Sequence, residues 1–154
     1  MEREMTSTDR TAEATSALIV ERSAWFELLD AQDRRCDEQG LAAGMLTIDF
    51  GMPVPQRSDL LANVLASHLT STDRATFVSD SEVQVMLSPV SDSTEVERRA
   101  GALGAALHTA GLAAGVGWAA RRDTGLVEAS ARADAGAAAR RPRDPVIDVR
   151  SESD

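Results

Sequence analysis

The sequence predicts an α+β fold: a mixed β-sheet covered by helices, of the split β-α-β kind, with a β-hairpin in its middle. Three observations lead to this class. The chain has 154 residues with 43% hydrophobic side chains, which suits one domain with one core and short tails. Helical and strand patterns follow each other in the order α-β-α-β-β-α-β-α. A hairpin signal is present where two apolar stretches flank the polar residues 79–82.

The predicted domain spans residues 17–141. Residues 1–16 and 142–154 are rich in Ser, Thr, Asp, Glu and Arg and hold few large apolar side chains. Such segments cannot bury enough apolar surface to order themselves. We therefore expect a flexible N-terminal tail and a flexible acidic C-terminal tail.

The first half of the domain has a helix-strand-helix pattern. Apolar residues among charges predict a helix over most of 17–37, with Gly40 after its end. The apolar run 42–50 predicts a central strand, which Gly51 and the following prolines end. Ser58 is a plausible N-cap for a second helix that reaches Leu69.

The second half begins with the hairpin, whose strands are predicted over 76–78 and 83–87. A helix over 93–109, a small-residue strand over 112–120 and an Ala-rich helix over 126–140 complete the domain. Residues 101–120 lack Asp, Glu, Lys and Arg, but Ala and Gly are weakly apolar and His108 lies near the centre of the stretch. This stretch predicts a buried helix and strand, and no membrane span.

Charge and ligand content exclude several classes of function. The formal net charge of -9 argues against nucleic acid as a partner, because phosphate binding needs surplus basic residues. The single cysteine, Cys36, excludes an intramolecular disulfide, and with His68 and His108 it forms no zinc-type ligand pattern. We expect a cytoplasmic protein with no cofactor.

The first helix carries a candidate interaction surface at Trp25, Phe26 and Leu29. Neighbouring residues on a helix are about 100° apart, so Trp25 and Phe26 cannot both face one sheet. One of them is predicted to lie at the edge of the core or outside it. Such an aromatic residue could anchor self-association or a partner helix, or it could simply cover the margin of the sheet.

At the hairpin the sequence resembles diguanylate cyclase (GGDEF) domains, in which the hairpin turn reads Gly-Gly-Asp/Glu-Glu-Phe. The corresponding residues here are Ser79, Asp80, Ser81, Glu82 and Val83. Only Glu82 matches that motif. The resemblance would place a nucleotide cyclase-like fold over residues 17–141.

Flanking segments support the resemblance by their order. Residues 46–50 resemble the family's first strand, which ends in a metal-binding Asp, here Asp49. Residues 113–119 resemble its T-x-S-x-G-V-A strand, and residues 129–141 resemble its closing R-A-D-x-A helix.

The departures from the family pattern predict loss of catalysis. Ser81 stands where the resemblance implies an essential metal carboxylate, and Asp80, one residue earlier, would point to the opposite face. The segment 51–59 is about eight residues shorter than the family's guanine-reading region, by comparison with the pattern. In the family's inhibitory R-x-x-D element only Asp73 is kept, since Thr70 replaces the arginine.

These observations predict an inactive diguanylate cyclase-like domain that serves as a regulatory or scaffolding module. No residue is assigned a catalytic, cofactor-binding or metal-binding role, and Asp49 and Glu82 are interpreted as a turn former and a solvated hairpin residue. The expected partner is another protein or a second copy of the chain; a small nucleotide is not expected. The alternatives are a receptor for a nucleotide or cyclic di-GMP with a remodelled pocket, and a residual diguanylate cyclase.

Overall fold

A computed structural model describes residues 18–54 and 59–141 of the chain. The elements in these ranges are α1 (Arg22–Gln39), β1 (Ala42–Asp49), α2 (Asp59–His68), β2 (Arg74–Ser79), β3 (Glu82–Val90), α3 (Ser93–Thr109), β4 (Gly115–Ala120) and α4 (Leu126–Arg140). Their order is the predicted one. The two predicted tails, 1–16 and 142–154, lie outside the described residues.

The strands form one sheet in the order β2-β3-β1-β4, and every neighbouring pair is antiparallel. The predicted mixed sheet is therefore wrong in this respect, although the α+β class is confirmed. The reason is the split arrangement. Strands β1 and β2 run parallel across α2, but β3 lies between them, and β1 likewise separates the parallel strands β3 and β4. The described residues hold a parallel pairing only as an isolated bridge between Ile19, which precedes α1, and Ala75 of β2.

The sheet has an apolar core on each face, because alternate residues of a strand point to opposite sides. One face is covered by α2 and α3, and the other by α1 and α4. From β1, Leu46 and Ile48 enter the α2/α3 core, whereas Ala43 and Met45 enter the α1/α4 core.

The glycines of β4 allow α4 to lie close to the sheet. A Cβ on Gly115 would lie 2.4 Å from the carbonyl oxygen of Ala137, and one on Gly117 would lie 2.0 Å from that of Ala133. Both distances are shorter than any ordinary contact. Gly115 and Gly117 therefore permit close packing between the backbones of β4 and α4.

Helix α1 also fixes the beginning of α4. Gly125, the residue before α4, has no side chain to cap the helix and adopts a φ of 92°. The Leu126 amide instead donates to Asp33 of α1, at 3.1 Å to Oδ1 and 3.3 Å to Oδ2. Asp33 also accepts a hydrogen bond from Arg121 at 2.7 Å, so it joins α1 to the loop before α4.

None of the helices in the described part of the chain is both long and apolar enough to cross a membrane. The stretch 101–120, considered above as a span, is divided between α3, a short turn and β4.

Candidate functional site

The β2-β3 hairpin turn is built from hydroxyl groups. Ser79 pairs with Glu82 across the turn, and Asp80 and Ser81 close it. The Ser81 amide donates to the Ser79 hydroxyl at 3.2 Å, and the two serine hydroxyls are 3.3 Å apart. Val83, at the end of the motif segment, is 1% exposed and belongs to the α2/α3 core. Of the other four residues, Ser79 and Asp80 are exposed, and Ser81 and Glu82 are partly buried.

The loop after β1 lies directly against this turn. The Phe50 amide donates to the carbonyl oxygen of Ser81 at 2.9 Å, and the Val54 amide donates to that of Asp80 at 2.7 Å. Both turn carbonyls are thus bonded to the protein's own backbone. Met52, between the two contacts, is 67% exposed.

Asp49, at the end of β1, is 6% exposed and faces α4. Its Oδ1 accepts a hydrogen bond from the Gly51 amide at 2.9 Å, the two-residue spacing typical of an Asx turn. Its Oδ2 lies 3.9 Å from Nε of Arg141, just after α4. The turn-forming role favoured from the sequence agrees with this geometry.

A second carboxylate, Glu82, lies opposite Asp49 in the register of β1 and β3. Burial raises the pKa of Glu82, and the nearby charges of Asp134 and Asp49 raise it further, while Arg141 opposes them. Glu82 is partly buried, so only part of its side chain is in contact with solvent. The cause is α4, whose end covers this corner of the sheet.

The third carboxylate, Asp134 of α4, is held by the sheet. Its Oδ1 accepts hydrogen bonds from the Thr47 hydroxyl at 2.6 Å and from Gln84 Nε2 at 3.0 Å. Gln84 in turn accepts a hydrogen bond from Trp25 Nε1 at 2.8 Å. Asp134 lies in the segment that resembles the family's closing helix, but its role could not be predicted, because its partners Thr47 and Gln84 are too distant in the chain for any spacing to indicate them.

The resemblance raises the question of divalent ions at the hairpin, and the residues present do not fit them. Two-ion phosphoryl chemistry needs several carboxylate oxygens directed at one point. Here Asp49 is directed at a backbone amide and at Arg141, and the turn offers serine hydroxyls. The described residues contain no group of three or more His, Cys, Asp or Glu placed to hold a metal.

Asp73, retained from the inhibitory element of the resemblance, points into the domain and is fully buried. It accepts hydrogen bonds from the Thr70 amide at 2.8 Å, the Ser88 amide at 3.2 Å and Arg99 at 2.5 Å. Its oxygens therefore join the α2-β2 turn to β3 and α3. A ligand at the surface cannot reach this carboxylate without displacing those bonds.

On α1 the predicted division of the aromatic pair is present: Trp25 is 2% exposed and Phe26 is 61% exposed. The prediction that Leu29 contributes to the surface is wrong, because Leu29 is fully buried with Trp25 in the α1/α4 core. Four residues separate them, which places both on the buried side of the helix. Of the three candidate residues, only Phe26 is exposed.

Comparison with known proteins gives a consistent fold. No protein-family model and no curated protein matches the sequence. Among solved structures, a sensory box/GGDEF family protein from Caulobacter crescentus is 22% identical with a TM-score of 0.62, covering 79% of this chain and 92% of that one.

Two further structures are similar. The GGDEF domain of DgcB from Caulobacter crescentus, in complex with c-di-GMP, is 14% identical with a TM-score of 0.61, covering 90% of this chain and 92% of that one. The diguanylate cyclase SiaD from Pseudomonas aeruginosa, in complex with its activator SiaC, is 18% identical with a TM-score of 0.57, covering 75% of this chain and 52% of that one.

The protein is therefore an α+β domain with a nucleotide cyclase-like arrangement of its sheet. More narrowly, its fold is that of GGDEF domains, the domains of diguanylate cyclases.

Proposed function

We propose that this chain is a catalytically inactive GGDEF-like domain whose role is to bind another protein or a second copy of itself. The observation that carries the proposal is the hairpin turn, where Ser81 replaces the metal carboxylate that the resemblance implies and bonds locally to Ser79. A hydroxyl cannot supply the negative charge that two-ion phosphoryl transfer requires.

The geometry around the turn also argues against a nucleotide bound in the manner that the resemblance implies. The resemblance implies two glycines at which a nucleotide approaches the backbone, and Ser79 and Asp80 bring side chains there instead. The carbonyls of Asp80 and Ser81 accept hydrogen bonds from Val54 and Phe50. The loop that makes these bonds belongs to the segment 51–59, which the resemblance implies is shorter than the guanine-reading region of the family.

A role in protein interaction agrees with two further observations. Phe26 is a large apolar side chain in solvent on an otherwise charged helix face, and aromatic residues are enriched in protein-protein interfaces. SiaD, which has the same fold, is in complex with a protein activator. We place this interaction in the cytoplasm, in keeping with the single buried cysteine, Cys36.

The runner-up is a receptor for a nucleotide or for cyclic di-GMP, and DgcB is in complex with that dinucleotide. The buried Asp73 argues against a binding mode that uses the inhibitory element. A residual cyclase is the least favoured alternative, because it needs both the charge and the base-reading segment.

The deciding experiment incubates the full chain with GTP and Mg²⁺ or Mn²⁺ and measures cyclic di-GMP, beside an active diguanylate cyclase and a no-protein control. We expect no product above the no-protein control. Calorimetric titration with GTP and cyclic di-GMP separates the alternatives: saturable heat without turnover indicates a receptor, and turnover that is lost in Asp49→Asn overturns the proposal.

A further inference from the structure

Helix α1 carries a line of three exposed residues, Arg22, Phe26 and Asp30, which we call the α1 ridge. They follow each other at intervals of four residues, so they lie on one side of the helix. Phe26, in the middle, has 61% of its surface in solvent. The described residues give neither Arg22 nor Asp30 an ion-pair partner. The ridge is therefore an aromatic side chain between two opposite charges that the described part of the chain leaves unpaired.

The α1 ridge lies on the side of α1 that is turned towards α4. Phe26 and Asp33 are seven residues apart, which places them on the same side of the helix. Asp33 accepts from the Leu126 amide at the beginning of α4. The chain reaches α1 from the other side, along β2 at the edge of the sheet, where the Val20 amide donates to the carbonyl of Ala75 at 2.8 Å. The described segment that leads into α1 is therefore directed away from the ridge.

The charges of the α1 ridge make it complementary to itself in one direction. Arg22 lies about one turn before Phe26, and Asp30 lies about one turn after it. When two copies of α1 pack antiparallel with Phe26 against Phe26, each Arg22 faces an Asp30 of the other copy. Parallel packing would instead place like charges against each other, which is unfavourable.

The spacing of the ridge also suits contact between two helices. Residues four apart form the ridges that pack together in the commonest class of helix crossing, at about −50°. Ser23, beside the ridge, is exposed and small, so it leaves room for a second helix to approach Phe26. Two aromatic rings that meet in this way have favourable offset-stacked and edge-to-face arrangements.

We infer that a second copy of this chain docks on the α1 ridge, with α1 antiparallel to α1 about a twofold axis at Phe26. The charge pattern selects a second copy, because an isologous interface requires one surface to match itself. One helix side buries a small area, so the dimer is transient and is absent at the dilution of unfolding experiments. This inference rests on the proposed interaction function and names its partner and surface.

The first test is sedimentation of the full chain from micromolar to millimolar concentration. The wild type should form a dimer whose fraction rises with concentration. Phe26→Ala should weaken dimerisation at least about tenfold, because it removes the central aromatic pair. The matched control is Leu60→Ala, which removes another exposed large apolar side chain from a helix on the opposite face of the sheet, and should leave dimerisation unchanged.

Charge exchange tests the antiparallel register. Arg22→Asp places an acid against Asp30 of the other copy, and Asp30→Arg places a base against Arg22, so each variant should dimerise less than the wild type. The double variant, with both charges exchanged, should recover. A mixture of the two single variants should form a heterodimer, because each Asp then faces an Arg at both ends of the ridge.

Several results would overturn the interface. They are a wild type that stays monomeric throughout the range, equal effects of Phe26→Ala and Leu60→Ala, and single charge variants that dimerise as well as the wild type. A mixture of the single variants that stays monomeric also overturns it. The full chain is used throughout, so a segment of the same chain lying on Phe26 would be detected as a persistent monomer. Cyclic di-GMP production in the same preparations overturns catalytic inactivity alone, which keeps the two failures distinguishable.

Discussion

Arg99 of α3 donates a hydrogen bond to Oδ2 of Asp73 at 2.5 Å, and Asp73 is fully buried while Arg99 is 14% exposed. The pair links α3 to the turn before β2. Its two members are 26 residues apart in the chain.

Removing this carboxylate is expected to destabilise the domain strongly. Asp73→Ala leaves the Thr70 and Ser88 amides without this acceptor and leaves Arg99 with the carbonyl of His68 but no counter-charge. Breaking a buried ion pair in this way costs about 3 kcal/mol or more. Asp73→Asn keeps an acceptor and should cost less. Urea unfolding of both variants checks this, with Asp30→Ala on the exposed side of α1 as control. A loss in Asp73→Ala no larger than in that control would contradict the structural role.

Gly117→Ala should also be costly, since its methyl group would overlap the backbone of α4 at Ala133. Overpacking of this kind costs about 1–3 kcal/mol, and here neither backbone can move freely. Gly101→Ala is the matched control. Its methyl group has open space, and it should stabilise α3 by about 0.5–1 kcal/mol. A lower unfolding midpoint for Gly117→Ala and a higher one for Gly101→Ala, each relative to the wild type, would bear out this account. An unchanged midpoint for Gly117→Ala would contradict it.

Restoring one carboxylate at the hairpin should not restore catalysis. Ser81→Asp returns a charge to the turn, but Phe50 and Val54 still donate to the turn carbonyls, and the segment 51–59 is still shorter than the resemblance implies for guanine binding. We expect Ser81→Asp with GTP and Mn²⁺ to give no more cyclic di-GMP than the wild type. Measurable product would show that the missing charge at residue 81 was the only cause of inactivity.

Stability should fall as the pH rises through the titration of Glu82. Its pKa is raised in the folded protein, chiefly by burial and then by Asp134 and Asp49, so the folded state holds its proton more tightly than the unfolded state. Tighter binding of this proton stabilises the folded state. The stabilisation is complete below the ordinary glutamate pKa of about 4.3 and is lost as the pH rises past the raised pKa of the folded protein.

Glu82→Gln removes that dependence, so the variant should gain stability over the wild type at neutral pH. Chemical unfolding between acidic and neutral pH measures the difference, with Glu27→Gln on the exposed side of α1 as control. Parallel pH profiles for the wild type and Glu82→Gln would refute the assignment.

Local patterns in the sequence predicted the elements well. Helix α3 was predicted over 93–109 and is observed there, since Asp92 caps it by accepting from the Glu95 amide and its apolar positions repeat at helical spacing. The hairpin was correctly located but underestimated in length, because the pattern ended β3 at Leu87 and the strand continues to Val90.

Features that depend on distant contacts were not predictable in this way. The order of the strands in the sheet, in which β3 lies between β1 and β2, depends on pairing between distant segments. No local spacing in the sequence indicates that order. The burial of Asp73 depends on Arg99, the partly buried state of Glu82 depends on α4, and the capping of α4 depends on Asp33 of a distant helix. Each requires knowledge of which elements meet.

The split arrangement of the sheet has a consequence for synthesis of the protein. Strand β1 emerges early from the ribosome, yet its two partners, β3 and β4, are made much later. Gly44, for example, can pair with Ala120 only after most of the domain has been synthesised. Until then both sides of β1 lack their hydrogen-bonding neighbours, and such long-range pairing is slow to form. A nascent chain that ends before β4 therefore presents an apolar strand with an unpaired edge, the form in which this protein is most open to capture by chaperones or to aggregation.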